Sequence, residues 1–172
     1  IKATLRRLVL GSESSDVLVV YFAGHALVPS WSHGTDLYLV TPGLAEQALS
    51  DDPEAGLRMA FLTRDVLQHF KGASLLILDC CQAGRSATFG GVDLVSVGGR
   101  DDPRHGVLAA CAADEYARED PDAEHGVFTR RVLDGLLGAA ADAHGEVTFE
   151  TLSGYVRGQV FEDVAGHLLD VV

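Results

Sequence analysis

The sequence predicts an α/β domain built on a mainly parallel sheet. Two observations predict it. Short, continuous apolar runs, Val17–Phe22, Leu75–Leu78 and Val107–Cys111, are the mark of strands covered on both faces. Segments with apolar residues at helical spacing lie between and after these runs, and strands alternating with helices imply parallel pairing through crossovers.

Leu5, Leu8 and Val9 at helical spacing predict that residues 3–10 end a helix. Asp16 introduces the first strand, 17–22, which stops at Ala23-Gly24-His25. Residues 28–35 read as a loop. Asp36–Val40 reads as a further strand, ended by Thr41-Pro42-Gly43, and 44–60 as an irregular acidic stretch. Thr63 is the expected N-cap of a helix carrying Val66, Leu67 and Phe70 on one face, ended by Gly72. The strand Leu75–Asp79 leads directly into Cys80-Cys81. Residues 84–105 form a long polar segment, of the kind that is usually functional or mobile. After the strand 107–111 comes an acidic loop. A helix is expected over 127–141 with Phe128, Val132, Leu136 and Ala140 inward, and Thr148 is the expected cap of a last helix holding Leu152, Val156 and Val160.

Composition narrows the function. The chain has 172 residues, 13 basic and 25 acidic, for a net charge of −12. Its length fits one domain, whose core needs no disulfide or metal staple. An acidic chain without a basic cluster is a poor nucleic-acid binder, because phosphate contacts need Lys and Arg. The apolar runs fall far short of the ~20 residues that span a bilayer, and the first residues hold no signal-type apolar segment. Three cysteines, two of them adjacent, make no disulfide framework, so a reducing, cytoplasmic setting is expected. Arginine far outnumbers lysine and Ala and Gly are abundant, which points to a GC-rich bacterial source. The histidines show no metal-ligand spacing, and no CxxC, HExxH or phosphate-binding glycine loop is present.

In open parallel sheets, sites form beyond the carboxyl ends of the strands. His25 follows one predicted strand and Cys81 another, 56 positions later. If those strands are neighbours, about 4.8 Å apart, both residues leave the same edge of the sheet. A thiol beside an imidazole is the minimum for nucleophilic acyl transfer. The imidazole takes the thiol proton, the thiolate attacks a carbonyl, and the imidazolium protonates the leaving amine.

These residues resemble a known family. Tyr21-Phe22-Ala23-Gly24-His25-Ala26 looks like the histidine motif of caspase-like cysteine peptidases. Leu78-Asp79-Cys80-Cys81-Gln82-Ala83-Gly84 looks like the cysteine motif of their metacaspase and bacterial branch, where an Asp stands two before the nucleophile. The stretches 106–115 and 125–129 are similar to the small-subunit half of bacterial members. The resemblance covers nearly the whole chain. It implies a caspase-like three-layer sandwich, with a mainly parallel sheet and helices on both faces. Residues 1–84 would be the late large-subunit part, 85–105 a linker and 106–172 the small-subunit part. Family domains begin with a strand, a helix and a second strand before the histidine strand. Only sixteen residues precede it here, so that first portion is expected on another segment or chain.

Carried over by position, His25 is the general acid/base and Cys81 the nucleophile. The backbone N–H groups of Ala26 and Cys81 would form the oxyanion hole. Asp79 would lie in the S1 pocket, with Asp114 adding negative charge. A carboxylate there pairs with a guanidinium or ammonium, so the resemblance implies cleavage after Arg or Lys. Caspases that cut after Asp carry Gln where this chain has Asp79. If the preferred residue is basic, Arg85, Arg100 and Arg104 are candidates for self-cleavage. The sequence departs from the family at Ala26, where Gly is usual, and at Ala23, where metacaspases often have Ser. The resemblance implies regulated proteolysis in bacterial defence or cell-death signalling, fusion to sensor or effector modules, and no cofactor. Some metacaspases need calcium. The acidic residues Asp114, Glu115, Glu119, Asp120, Asp122 and Glu124 read as a solvated loop, with a calcium site or a funnel for basic substrates as the alternatives.

Plainer readings stand beside these. Asp79 also fits a strand-end cap. Cys80 reads as a packed thiol rather than a second nucleophile, and Cys111 as core. The competing function is a catalytically silent caspase homologue that serves as a scaffold or allosteric partner. A thiol-dependent enzyme acting on small molecules would need an enclosed apolar pocket.

Overall fold

The computed structural model describes residues 1–32, 37–80, 104–110 and 126–169, with side chains to residue 160. Two compact units divide at residue 114, and each is treated on its own.

In the first unit, helix α1 spans Lys2–Gly11 and buries Leu5. Strand β1, Val17–Gly24, pairs in parallel with β5, Ala73–Cys80, and β5 pairs in parallel with β6, His105–Ala109. The predicted parallel sheet is therefore present, in the order β1-β5-β6. Residues in register on parallel strands point to the same face. Val20, Leu76 and Val107 align, as do Phe22, Leu78 and Ala109. This face meets Leu5, Leu62, Val66 and Leu67 in the main core.

The first strand is not covered on both faces as its composition suggests. Val17, Val19 and Tyr21 are 72 %, 55 % and 51 % exposed, while Leu18, Val20 and Phe22 turn toward the core. Among the described residues β1 is also an edge strand. An apolar run reports strand propensity, and only the neighbours decide how many faces are buried.

Residues 36–40 do not join the parallel sheet. Tyr38–Leu39 form β3, which pairs antiparallel with β2, Ala26–Leu27, and with β4, Leu57–Arg58. The stretch expected to be irregular holds helix α2, Glu46–Asp51, and a 3₁₀ turn, Pro53–Ala55, capped by the Asp52 side chain. Thr63 is not an N-cap. It lies inside the π-helical segment Phe61–Val66, and its hydroxyl donates to the Met59 carbonyl at 3.2 Å. A 3₁₀ turn, Leu67–His69, follows, and Val66, Leu67 and Phe70 are buried as predicted.

Lys2 bonds the Glu54 carbonyl and carboxylate, tying α1 to the turn before β4, and Arg58 also pairs with that carboxylate. The Lys2 hydrogen bond, with the charges of Arg58, Lys2 and Arg6, holds Glu54 below its ordinary pKa despite some opposing desolvation. A depressed carboxylate stabilises the fold above its unfolded pKa and loses that contribution as pH falls through the folded value. The wild-type advantage over Glu54→Gln should therefore be constant near neutrality. It should shrink below pH ~4.3, the ordinary glutamate value, in urea melts across pH. The effect is small because the pair is exposed.

Gly72 is required by packing. A Cβ there would lie 2.0 Å from the Asp16 carbonyl oxygen and 3.0 Å from that of Glu13, both backbone atoms. The Asp16 oxygen also accepts the Ala73 N–H at 3.0 Å, which seats the start of β5 beside β1. A Cβ cannot rotate away, so Gly72→Ala is expected to cost about 3 kcal/mol or more. An unchanged urea midpoint would refute this.

In the second unit, α3 spans Val127–Asp134 and runs into a π-helical turn, Gly135–Ala139. Phe128, Val132 and Ala140 are buried as expected, but Leu136 is 49 % exposed. Gly135, three residues after Val132 on the same helix face, is buried instead, and a Cβ there would meet Leu152 Cδ1 at 2.6 Å; the wide turn then brings Ala140, five residues on, inward. Helix α4, Phe149–Leu169, begins with the predicted cap. The Thr148 hydroxyl accepts the Thr151 N–H at 3.2 Å, and the Thr151 hydroxyl accepts the Thr148 N–H at 2.9 Å.

Candidate active site

The carboxyl ends of β1 and β5 are side by side. Ala23 is in register with Asp79, and Gly24 with Cys80. His25 follows β1 immediately. Cys81 follows β5 in the sequence and lies outside the described residues, as do Asp114, Arg85 and Arg100.

His25 is held from both sides of its backbone. Before it, Gly24 has φ +154°, and a Cβ there would meet the Phe22 ring at 3.2 Å. Glycine therefore permits both the backbone angle and the close approach of the ring. After it, the chain enters β2. The His25 carbonyl accepts the Val40 N–H at 2.9 Å, and Ala26 faces Leu39. That bonding pattern makes Ala26 and Leu39 a non-hydrogen-bonded pair, so the Ala26 N–H turns away from β3. Ala26 is 3 % exposed, whereas the His25 side chain is exposed. The imidazole is thus carried on a backbone held at both sides and is exposed. Sequence reasoning missed the role of Val40. The strand around it was legible, but its antiparallel partners were not.

Asp79 is half-buried and shares a sheet face with Ala23 and Tyr21. Cys80 points the other way, fully buried in the core beside Leu78, in keeping with a packed thiol. A half-open, mostly apolar groove runs along β1 from Val20 to His25 and is lined on its other side by Leu5, Leu39 and Leu62. Among the described residues no group of three or more His, Cys, Asp or Glu side chains could hold a metal ion. The acidic loop after β6 is outside them. No helix among the described residues is long and apolar enough to cross a membrane.

Arg104 is described. It immediately precedes β6, and its side chain is exposed. Its carbonyl accepts the Ser74 N–H at 2.8 Å, and its guanidinium donates to the Lys71 carbonyl at 2.8 Å.

Compared with models of known protein families, residues 1–165 match the caspase domain. No curated protein and no solved structure matches the chain.

Proposed function

The chain belongs to the caspase domain family, and we propose that it is a cysteine endopeptidase of the metacaspase and bacterial branch that cuts after Arg or Lys with His25 and Cys81. Family membership points to a cysteine peptidase acting on polypeptides. The observation that supports the pairing of His25 with Cys81 is the register of β1 and β5, which sets Gly24 beside Cys80, one residue before the histidine and the candidate nucleophile.

The chemistry follows from those positions. His25 takes the Cys81 proton, and the thiolate adds to the scissile carbonyl. The resulting oxyanion is met by backbone N–H groups, a role that suits Ala26, whose N–H is turned away from β3. The imidazolium then gives its proton to the leaving amine, and water hydrolyses the thioester with His25 as base. Asp79 supplies a carboxylate to a basic side chain entering on the face it shares with Ala23. Asp114 adds to that negative charge.

We place the enzyme in the cytoplasm, as a regulated protease of defence or cell-death signalling, with self-cleavage after Arg85 or Arg100. The test is hydrolysis of matched fluorogenic peptides ending in Arg, Lys or Asp by the parent protein and its Cys81→Ala variant, with and without calcium. Turnover after Arg or Lys that disappears in the variant is expected. Turnover only after Asp would refute the role of Asp79. Absence of covalent labelling of Cys81 by an arginyl electrophile would favour the scaffold.

A further inference from the structure

Of the arginines in the segment that joins β5 to β6, Arg104 has a described environment, and that environment argues against its being cut. We infer that the Arg104–His105 bond is a closed boundary: any processing of this segment ends upstream of it, and β6 stays seated on β5.

An endopeptidase that cuts after arginine needs three things from its substrate. The residue's carbonyl must enter an oxyanion hole, its guanidinium must enter an acidic pocket, and the next residue must leave its surroundings to lie in the cleft. All three are engaged here. The Arg104 carbonyl accepts the Ser74 N–H at 2.8 Å, as the first rung between β5 and β6. The guanidinium donates to the Lys71 carbonyl at 2.8 Å. His105 is 9 % exposed, and its Nδ1 lies 2.8 Å from the Ser74 hydroxyl, itself 4 % exposed.

The surfaces that hold Arg104 are fixed in turn. The Lys71 N–H donates to the Ser12 hydroxyl at 3.1 Å, and that hydroxyl donates to the Val9 carbonyl at the end of α1. Gly72 packs against the Asp16 carbonyl. Ser74 and His105 stand opposite each other in the register and belong to the core-facing side of the sheet with Leu76 and Val107. Freeing the bond therefore means stripping the first residues of β6 from β5 and exposing a paired histidine and serine, which local fluctuation of an exposed side chain does not do. Exposure of Arg104 alone would suggest an open site; its backbone shows the reverse.

The protection applies to any peptidase that cuts after arginine, so it does not rest on this chain being one. The experiment uses trypsin on the folded Cys81→Ala chain, in which every cut is trypsin's own. Mass spectrometry follows the fragment that begins at His105. The reference is a synthetic peptide of residues 101–110. Cleavage at least about thirtyfold slower in the folded chain than in the peptide is expected, and any faster cleavage overturns the inference. Ser74→Ala, shown by its melting curve to be folded, should raise the rate about fivefold, the worth of one lost hydrogen bond, and an unchanged rate would remove Ser74 from the clamp. If that variant does not fold, the comparison of chain with peptide decides alone.

Discussion

His25→Ala is expected to lower kcat/KM for amide substrates by about 10²–10⁴-fold, the usual contribution of a positioned general acid/base. The loss should depend on the leaving group and on pH, and this separates catalysis from damage to the fold. An amine leaves only when protonated, so the amide substrate needs His25 twice. A 4-nitrophenyl ester has a leaving group that needs no proton, so its loss should be smaller. Without an imidazole the thiolate forms only as pH approaches the free thiol value, ~8.5, and residual esterase activity should climb through that range. Equal losses for ester and amide at every pH would mean that the variant acts through structure. Because the backbone of His25 is held by Val40 and β2 rather than by its exposed ring, the variant should keep the wild-type urea midpoint.

Asp79→Asn is the second large effect. It keeps the shape of the side chain and removes its charge. Breaking a desolvated charge pair from one side costs about 3–5 kcal/mol, so kcat/KM for arginyl peptides should fall by roughly 150- to 5,000-fold. A citrulline peptide has nearly the shape of arginine without the charge, and its turnover should change little. The ratio of the two rates is the readout. If the ratio is unchanged, Asp79 is a strand-end residue without a part in specificity, and the basic preference must come from elsewhere.

The expected site was legible because its parts sit at strand ends. Strand propensity marked 17–22 and 75–79, and the residues just beyond them were His25 and Cys81. The register of β1 and β5 is consistent with that reasoning as far as Cys80. Other features were hidden for identifiable reasons. Tyr38–Leu39 carried the same apolar signature as the parallel strands, yet its partners are β2 and β4, because an apolar signature marks a strand without specifying its partner. Thr63 had the composition of a cap, but its hydroxyl is satisfied by a carbonyl one turn earlier, a choice composition does not encode. Leu136 lost its inward place to Gly135, which lies three residues after Val132 where Leu136 lies four, and helical spacing allows either.

From the sequence alone came the α/β class, the apolar segments that form β1, β5 and β6, the Thr148 cap and the expectation of chemistry at His25 and Cys81. These are local properties: propensity, periodicity and the identity of a side chain at a strand end. Tertiary structure alone decided that one face of β1 stays open, that Val40 fixes the backbone of His25, that Cys80 turns into the core, and that Ser74 and Lys71 close around Arg104 and His105. Each of these depends on which strands become neighbours and in what register. Register is set by packing between segments tens of residues apart, and no window of sequence contains both partners.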